Sequence, residues 1–263
     1  MSLVNFSLLL VLQCLQLCVE AAQPEPQSQA QAHEAYKYRA ATDQSILNGA
    51  QGTIGQSVRD ELKNSEIISD VIDDFHPTLL INITYPTTNT TANLGNTITP
   101  SSAQDPPTIE LYTSSSSSPS SSSASSPATN YTLVLTDPDA PSRSDPKWSE
   151  FCHWIITNVP LSPSSSPEKV SSTEAQTAAQ GLKELIPYAP PAPPPKTGSH
   201  RYAFLAFAPK SSQVAGAGTN LTVPSDRKNW GTGEPRHGVR QWAAENGLVP
   251  VGGNFFYSAN DEQ

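Results

Sequence analysis

The sequence predicts a mostly β fold, because its clearest apolar segments are short and rich in β-branched and aromatic residues. Residues 131–136 place Tyr131, Leu133 and Leu135 on one face and Thr132, Val134 and Thr136 on the other, as in a strand. The runs 153–158 and 200–207 are apolar, and each begins with a histidine. Three further runs have strand composition: 76–85, 108–112 and 249–257, the last with a Gly252-Gly253 pair that favours a bulge or close backbone approach.

Helices are predicted only in a few places. Apolar residues recur at helical spacing between Ser57 and Ile72, which predicts an amphipathic helix with an interruption. Residues 236–246 predict a second helix, closed by Gly247 as a left-handed cap. Residues 173–185 are rich in Ala and Gln and predict a weak helix.

Composition favours one domain. Low-complexity segments dilute the part of this 263-residue chain that can form a core. Residues 23–44 have the composition of a disordered leader, and the Ser/Pro-rich segments 113–127 and 162–172 indicate insertions within one domain spanning 45–263. Residues 187–195, PYAPPAPPP, predict an extended polyproline II segment, either a rigid linker or a docking segment for a Pro-binding module.

Charge argues against one class of partner. The formal net charge is −9, from 24 acidic and 15 basic side chains, and the basic residues form no stripe. Binding to a phosphate backbone needs clustered Lys and Arg, so nucleic acid is a poor partner. One local positive site is enough for an isolated anionic ligand.

The N-terminus predicts secretion. Residues 1–22 contain an apolar run followed by Ala21 and Ala22, as in a cleaved signal peptide, and no later segment is long enough to span a membrane. Removal of the signal takes away Cys14 and Cys18 and leaves Cys152 without an internal disulfide partner. Four sequons agree with a secretory route and predict glycans on surface loops: Asn82, Asn89, Asn130 and Asn220.

Acidic residues and histidines mark a candidate site. The strand at 131–136 delivers Asp137 and Asp139 into a turn that is stiffened by prolines, and Pro141 is positioned for a cis bond to Ala140. His153 and His200 begin the next two apolar runs. Two aspartates and two histidines are therefore expected to converge. The aspartates also fit a purely structural role in capping the turn.

Four ordered motifs resemble the phosphatidylethanolamine-binding proteins, also described as Raf kinase inhibitor-like proteins. They are DPDAPSR at 137–143, His153-Trp154, GSHRY at 198–202 and VGGNFFYSAND at 251–261. The resemblance implies a mostly β fold in which a large antiparallel sheet packs on a smaller one, with peripheral helices. It also implies a small anion-binding pocket, with residues 187–195 as one wall. The implied ligand-binding residues are Asp137, Asp139, Pro141, His153, His200 and Tyr202.

Imidazoles that titrate near neutral pH suit an anion site, and adjacent aspartates fix their tautomers. Arg143 and Arg201 either raise the local potential or form structural ion pairs with neighbouring acids. No metal and no cofactor is predicted, because the histidines lack a local metal-ligand spacing. Ser142 and Ser199 lack the Gly-x-Ser-x-Gly elbow of a hydrolase, and Cys152 is better interpreted as an apolar filler than as a nucleophile.

The sequence thus favours a secreted protein that binds a small anionic ligand, a phosphate headgroup or a carboxylate, without turning it over. Two alternatives follow from the resemblance. Similar secreted fungal proteins assist a cyclase in polyketide pathways that dimerise maleic-anhydride monomers, and the pocket suits such a diacid. Other family members inhibit serine carboxypeptidases, which makes a protease the other possible protein partner.

Overall fold

In the part of the chain that the structure describes, nine strands in two sheets form most of the regular structure. The computed structural model describes residues 53–113, 131–161, 182–210 and 220–262. The strands are β1 (Leu79–Tyr85), β2 (Thr90–Ala92), β3 (Asn96–Thr97), β4 (Thr108–Thr113), β5 (Tyr131–Asp137), β6 (Phe151–Val159), β7 (Lys183–Ile186), β8 (His200–Pro209) and β9 (Leu248–Ser258). The helices are α1 (Thr53–Asn64), α2 (Ile67–Asp70) and α3 (Val239–Glu245), with 3-10 turns at Pro100–Ala103 and Asn229–Gly231.

The two sheets differ in size. The smaller sheet has the order β2-β1-β4, and the larger has the order β3-β9-β8-β5-β6-β7. All pairings are antiparallel except the short one between β3 and β9. The mostly β fold with a large and a small sheet is therefore confirmed.

The larger sheet has an apolar layer on each face. Successive side chains of a strand point to opposite faces. On β5, Leu133 and Leu135 pack with the buried side chains of β1, between the two sheets. Val134 points the other way and belongs to the layer that includes Leu62 of α1 and Trp242 of α3. Both faces of β5 are buried, which makes this strand a rigid support for the residues that follow it.

Several predicted elements are confirmed with shifted bounds. The interrupted helix at 57–72 forms as α1 and α2, and non-helical backbone at Ser69 (φ 112°) lies within the second. The strand predicted from residue 76 begins at Leu79, and the helix predicted from residue 236 begins at Val239. Gly247 has φ 64°, as expected of a left-handed cap. The register between β8 and β9 shifts at Ala206/Phe207, next to Gly252, as predicted for a bulge.

One predicted helix is wrong where it can be tested. Residues 173–185 were expected to be helical, but Lys183–Ile186 form β7 at the edge of the larger sheet. Pairing with β6 satisfies backbone groups that would otherwise lie unpaired, and this tertiary gain exceeds a weak helical preference. Thr113, taken as the start of an insertion, is the last residue of β4.

Several predictions fall outside the described residues: the signal peptide at 1–22, the leader at 23–44, the first residues of the domain from 45 to 52, and the insertions at 114–127 and 162–172. Within the described ranges, none of the helices is long and apolar enough to cross a membrane.

Candidate functional site

Three strand ends bring the predicted residues together. β5 is antiparallel to both of its neighbours, β6 and β8. The end of β5 therefore lies beside the starts of β6 and β8, and Asp137 meets His153 and His200 at one end of the larger sheet. Tyr202 follows two residues after His200 on the same face of β8. We call Asp137, His153, His200 and Tyr202 the Asp–His cluster.

A β-bulge sets the direction of His153. Leu135 pairs with Trp154 and Thr136 pairs with Cys152, so His153 has no residue opposite it on β5. An extra residue of this kind re-aims its side chain. The His153 ring lies edge-on to the Tyr202 ring, with 5.2 Å between the ring centres.

His200 is held through both of its ring nitrogens. Nδ1 lies 2.8 Å from Oδ2 of Asp137, and Nε2 lies 2.9 Å from Oγ1 of Thr197. The single hydroxyl proton of Thr197 is donated to the Pro194 carbonyl at 2.7 Å. Both ring nitrogens are thus engaged, Nδ1 by the Asp137 carboxylate and Nε2 by the Thr197 hydroxyl. The His200 side chain is 1% exposed.

His153 is held through only one of its ring nitrogens. Its Nδ1 lies 2.7 Å from the Ala189 carbonyl, which can only accept, so Nδ1 carries a proton. Burial lowers the pKa of His153, against the opposing charge of Asp137 and the Ala189 hydrogen bond, with smaller lowering effects from Arg227 and His200. The neutral ring therefore has an unprotonated Nε2. No described residue donates a hydrogen bond to this atom, and His153, 5% exposed, is the most accessible member of the cluster.

Tyr202 lies between the two histidines. Its ring stacks on the His200 ring with 6.5 Å between the ring centres, and on the Phe256 ring with 5.2 Å between the ring centres. Burial, with the nearby charge of Asp137, raises the pKa of Tyr202 far above its usual value. Its hydroxyl therefore stays protonated, and this neutral polar group is hydrogen-bonded by the Ala192 backbone.

Asp139 lies apart from the cluster, on the other face of β8. Its Oδ2 accepts hydrogen bonds from Arg201 Nε and the Arg201 backbone N–H, both at 2.9 Å, and its Oδ1 accepts from Nη2 at 2.6 Å. Arg201 also binds Asp70 at 2.9 Å and the Ser65 carbonyl at 2.8 Å. Burial would lower the pKa of Arg201, but these carboxylates outweigh it and raise it.

The structural ion pairs proposed for both arginines are therefore confirmed, since Arg143 binds Glu66 in the same way at the surface. Asp137 also has a turn-capping role, because its Oδ1 accepts the Asp139 N–H at 2.7 Å. The contact of Asp139 with a ligand stays a prediction. Pro141 is half-exposed, and the predicted cis bond from Ala140 is present.

The proline-rich segment lies against the cluster. Ala189 bonds to His153 through both of its backbone groups, and Pro191 and Pro193 are buried. Asn260 donates to the Pro193 carbonyl at 3.1 Å, which ties the end of the chain to this segment. Burial of Pro191 and Pro193 supports a wall of the site rather than a docking segment, because a docking segment must be accessible.

Arg227 is a functional candidate that sequence reasoning missed. Its guanidinium donates to the carbonyls of Cys152, His153 and Pro187 at 3.0, 3.1 and 2.8 Å. Among the described residues it has no carboxylate partner, unlike Arg143 and Arg201. Its positive charge is thus uncompensated beside His153. The sequence gives only a weak signal for it, the dipeptide Arg227-Lys228 in a loop.

Two more missed residues are Thr197 and Glu150. Thr197 lies three residues before His200, a spacing that allows a local hydrogen bond. Glu150 is fully buried, and its Oε2 accepts the Val239 N–H at 3.1 Å. Burial raises the pKa of Glu150 to about 8. The sequence signal for Glu150 is its position as a charged residue directly before the apolar strand β6.

The other chemical interpretations find little support. Cys152 is fully buried in the apolar layer, and burial raises its pKa to about 12, so its thiolate is suppressed. Among the described contacts, neither Ser142 nor Ser199 hydrogen-bonds to a nitrogen of His153 or His200. No three His, Cys, Asp or Glu side chains are arranged for a metal ion within the ranges that the structure describes.

The sequons have different surroundings. Asn89 is exposed in the turn between β1 and β2, and Asn220 is exposed in a loop. Asn82 lies within β1, half-buried, and its amide donates to Glu110 at 2.7 Å. Asn130 is outside the described residues. Occupancy stays a prediction.

Known proteins share this sequence and this architecture. The sequence profile of the phosphatidylethanolamine-binding proteins matches residues 88–256. A carboxypeptidase Y inhibitor from Saccharomyces cerevisiae is 36% identical over 218 residues, which cover 77% of this chain and 95% of the relative. The protein MOTHER of FT and TFL1 homolog 2 from Oryza sativa is 32% identical over 175 residues, covering 66% of this chain and 80% of the relative.

Solved structures of similar proteins share this architecture. A carboxypeptidase Y inhibitor, determined in complex with its cognate proteinase, superposes with a TM-score of 0.63 at 32% identity, covering 79% of this chain and 97% of that one. A phosphatidylethanolamine-binding protein from Plasmodium vivax superposes with a TM-score of 0.54 at 20% identity, covering 78% of this chain and 98% of that one, which supports the fold alone. By its profile match and its yeast relative, this chain belongs to the phosphatidylethanolamine-binding protein family.

Proposed function

We propose that this protein binds a small oxyanion, a phosphate group or a carboxylate, at the Asp–His cluster. The observation that carries the proposal is the uncompensated charge of Arg227 beside His153. The other charged groups nearby have partners: Asp137 bonds to His200, and Arg201 pairs with Asp139 and Asp70. A small anion at His153 would therefore pair with the half-buried Arg227 guanidinium, and the neutral Tyr202 hydroxyl supplies a further polar contact.

Isothermal titration calorimetry with phosphoethanolamine and with maleate, at about pH 6, tests this proposal. We expect saturable binding of at least one of them, weakened about tenfold or more in Arg227→Met, because a close charge pair contributes about 1.5 kcal/mol or more. Arg227→Lys keeps the charge and should retain part of the affinity.

The matched control is Arg236→Met, which removes an exposed arginine that already pairs with Asp70 at 3.2 Å. Its affinity should stay close to that of the wild type. Absence of binding to both ligands, or equal losses in Arg227→Met and Arg236→Met, would contradict the proposal.

Inhibition of a serine carboxypeptidase is the second candidate function. It is favoured by the yeast relative, whose name states that it inhibits carboxypeptidase Y and whose length this chain covers almost fully. The solved complex shows that this architecture can engage a proteinase. We expect micromolar protein to inhibit carboxypeptidase Y and to leave a zinc carboxypeptidase unaffected. Full activity of carboxypeptidase Y, or equal inhibition of both enzymes, would exclude a specific inhibitor.

A secretory route is proposed on separate grounds. Support comes from the apolar N-terminus together with the exposed sequons Asn89 and Asn220. The full chain, expressed in a eukaryotic host, should appear in the medium and lose mass on treatment with an N-glycosidase. Retention inside the cell without a change in mass would contradict this route. Assistance to a biosynthetic cyclase stays a prediction of the sequence. The maleate titration tests only whether a diacid of this kind binds, and it does not test for a cyclase.

A further inference from the structure

The available nitrogen of His153 presents a lone pair and not a proton. Nδ1 already donates to the Ala189 carbonyl, and no described residue bonds to Nε2. An oxyanion also presents lone pairs. Direct contact between two acceptors is repulsive, so the neutral histidine cannot hydrogen-bond an unprotonated oxyanion.

His200 cannot take over this contact, because Asp137 and Thr197 occupy both of its nitrogens at 2.8 and 2.9 Å. Its role is to position the Asp137 carboxylate and the Tyr202 ring. His153 is therefore the only imidazole in the cluster with a free nitrogen.

The charged and polar groups that face His153 come from every neighbouring element. Asp137 faces it from the end of β5, and His200 and Tyr202 from β8. Arg227 donates to its carbonyl from the loop before the 3-10 turn at Asn229–Gly231, and Ala189 contacts it from the proline-rich segment. On its own strand the neighbour is the Phe151 ring, at 4.9 Å.

We propose that the cluster binds its oxyanion together with one proton, which is shared between Nε2 of His153 and an oxygen of the ligand. This inference rests on the proposed function and adds the state of the ligand. The proton comes from solvent, and no covalent bond is made or broken. When the ligand is a dianionic phosphomonoester, the bound form has one negative charge against Arg227.

In the free protein, Nε2 of His153 is unprotonated, as this coupling requires. Burial first, and then Arg227 and His200, lower the pKa of His153 below its ordinary value of 6.5. An anion beside the ring favours the charged form and reverses this effect. By linkage, the affinity for a dianion should fall about tenfold for each pH unit above neutrality, because each binding event takes up one proton from solvent.

Calorimetry in two buffers of different ionisation enthalpy measures the protons taken up. The probe is methyl phosphate at about pH 7.5, where a phosphomonoester with a second pKa of about 6 is mostly dianionic. Methyl phosphate has no ammonium group to donate a competing hydrogen bond. We expect an uptake close to one proton for each ligand bound, measured on the unmodified protein.

Two variants isolate the residue. In His153→Gln the amide donates a hydrogen bond without titrating, so uptake should fall close to zero. In His76→Gln, which alters an exposed histidine outside the cluster, proton uptake should stay unchanged.

Dimethyl phosphate, a phosphodiester, distinguishes the two possible sources of the ligand, a phospholipid headgroup and a free phosphomonoester. Binding of both phosphates with the same uptake indicates a phospholipid headgroup, and binding of methyl phosphate alone indicates a free phosphomonoester.

Binding of methyl phosphate with no proton uptake would overturn this inference and leave oxyanion binding intact. Absence of binding by both phosphates at every pH between about 5 and 8 would overturn this inference. If maleate also failed to bind over this range, the proposed oxyanion site itself would be overturned.

Discussion

Asp137 and Asp139 are two residues apart and have different surroundings. Asp137 faces the cluster and holds His200, whereas Asp139 has both oxygens bound to Arg201. The turn that follows β5 causes the difference, because it carries the second carboxylate past the sheet end. The family resemblance implied the same ligand-binding role for both aspartates. The structure assigns a structural partner to one of them.

The buried ion pair supplies the first prediction. Asp139→Asn should lower the free energy of unfolding by about 3 kcal/mol, because it leaves the fully buried Arg201 with only Asp70 as a charged partner. Urea denaturation measures the loss. The control Glu66→Gln removes the exposed pair with Arg143 and should cost less than about 1 kcal/mol. Equal losses in the two variants would contradict the structural role of Asp139.

Glu150 supplies the second prediction. Its folded pKa of about 8 lies above the ordinary value of 4.5, because burial disfavours the charge. Between these values the folded protein holds a proton that the unfolded chain releases. The contribution of Glu150 to stability is therefore complete below pH 4.5 and declines as pH rises towards about 8.

Glu150→Gln cannot ionise and should remove this decline. We expect it to be more stable than the wild type at about pH 8, by several kcal/mol, because roughly 1.4 kcal/mol accompanies each pH unit between the two pKa values. Thermal unfolding across pH measures the slope. Glu234→Gln, at an exposed position, is the control and should keep the wild-type slope. An unchanged slope in Glu150→Gln would show that Glu150 is ionised in the folded protein.

At the scale of elements, the contact between the two sheets depends on a residue without a side chain. A Cβ atom at Gly252 would lie 2.8 Å from the backbone carbonyl oxygen of Leu79 on β1. A Cβ atom at Gly253 would meet Leu62 Cδ1 of α1 at the same distance, but a leucine side chain can shift. Gly252 therefore fixes the approach of β9 to the smaller sheet.

Gly252→Ala should consequently destabilise the fold by about 1–3 kcal/mol, the usual cost of overpacking. Gly253→Ala, at the neighbouring position, should cost less because its obstacle is the end of a side chain. The midpoints of thermal unfolding of the two variants give the comparison. An equal or reversed order would contradict the close backbone contact.

The elements also show what the sequence can and cannot predict. Alternation was sufficient to predict β5, and an apolar run rich in aromatic residues was sufficient to predict β8, because local composition and tertiary burial agree there. β7 was missed, since Lys183-Glu184-Leu185 has no strand preference of its own and becomes a strand by pairing with β6. The bulge at His153 was also missed, because register depends on the partner strand.

At the scale of the molecule, motif order was enough for the fold and for most of the cluster. Asp137, His153, His200 and Tyr202 do converge, because antiparallel pairing places the end of β5 beside the starts of β6 and β8. Arg227 was not predictable, since it reaches His153 through backbone carbonyls far away in sequence. Residue type gives no information on such a partner. The net charge of −9 likewise gives no indication that Arg227 is a local cation without a carboxylate partner among the described residues.

The most direct test of the oxyanion site is ¹⁵N NMR of the imidazole rings during a titration with methyl phosphate at about pH 7.5. The Nε2 signal of His153 should move from the unprotonated towards the protonated position and saturate, while the His200 signals, already held by Asp137 and Thr197, should change little. A saturating change at His200 with none at His153, or no change at either ring, would contradict an oxyanion site at His153.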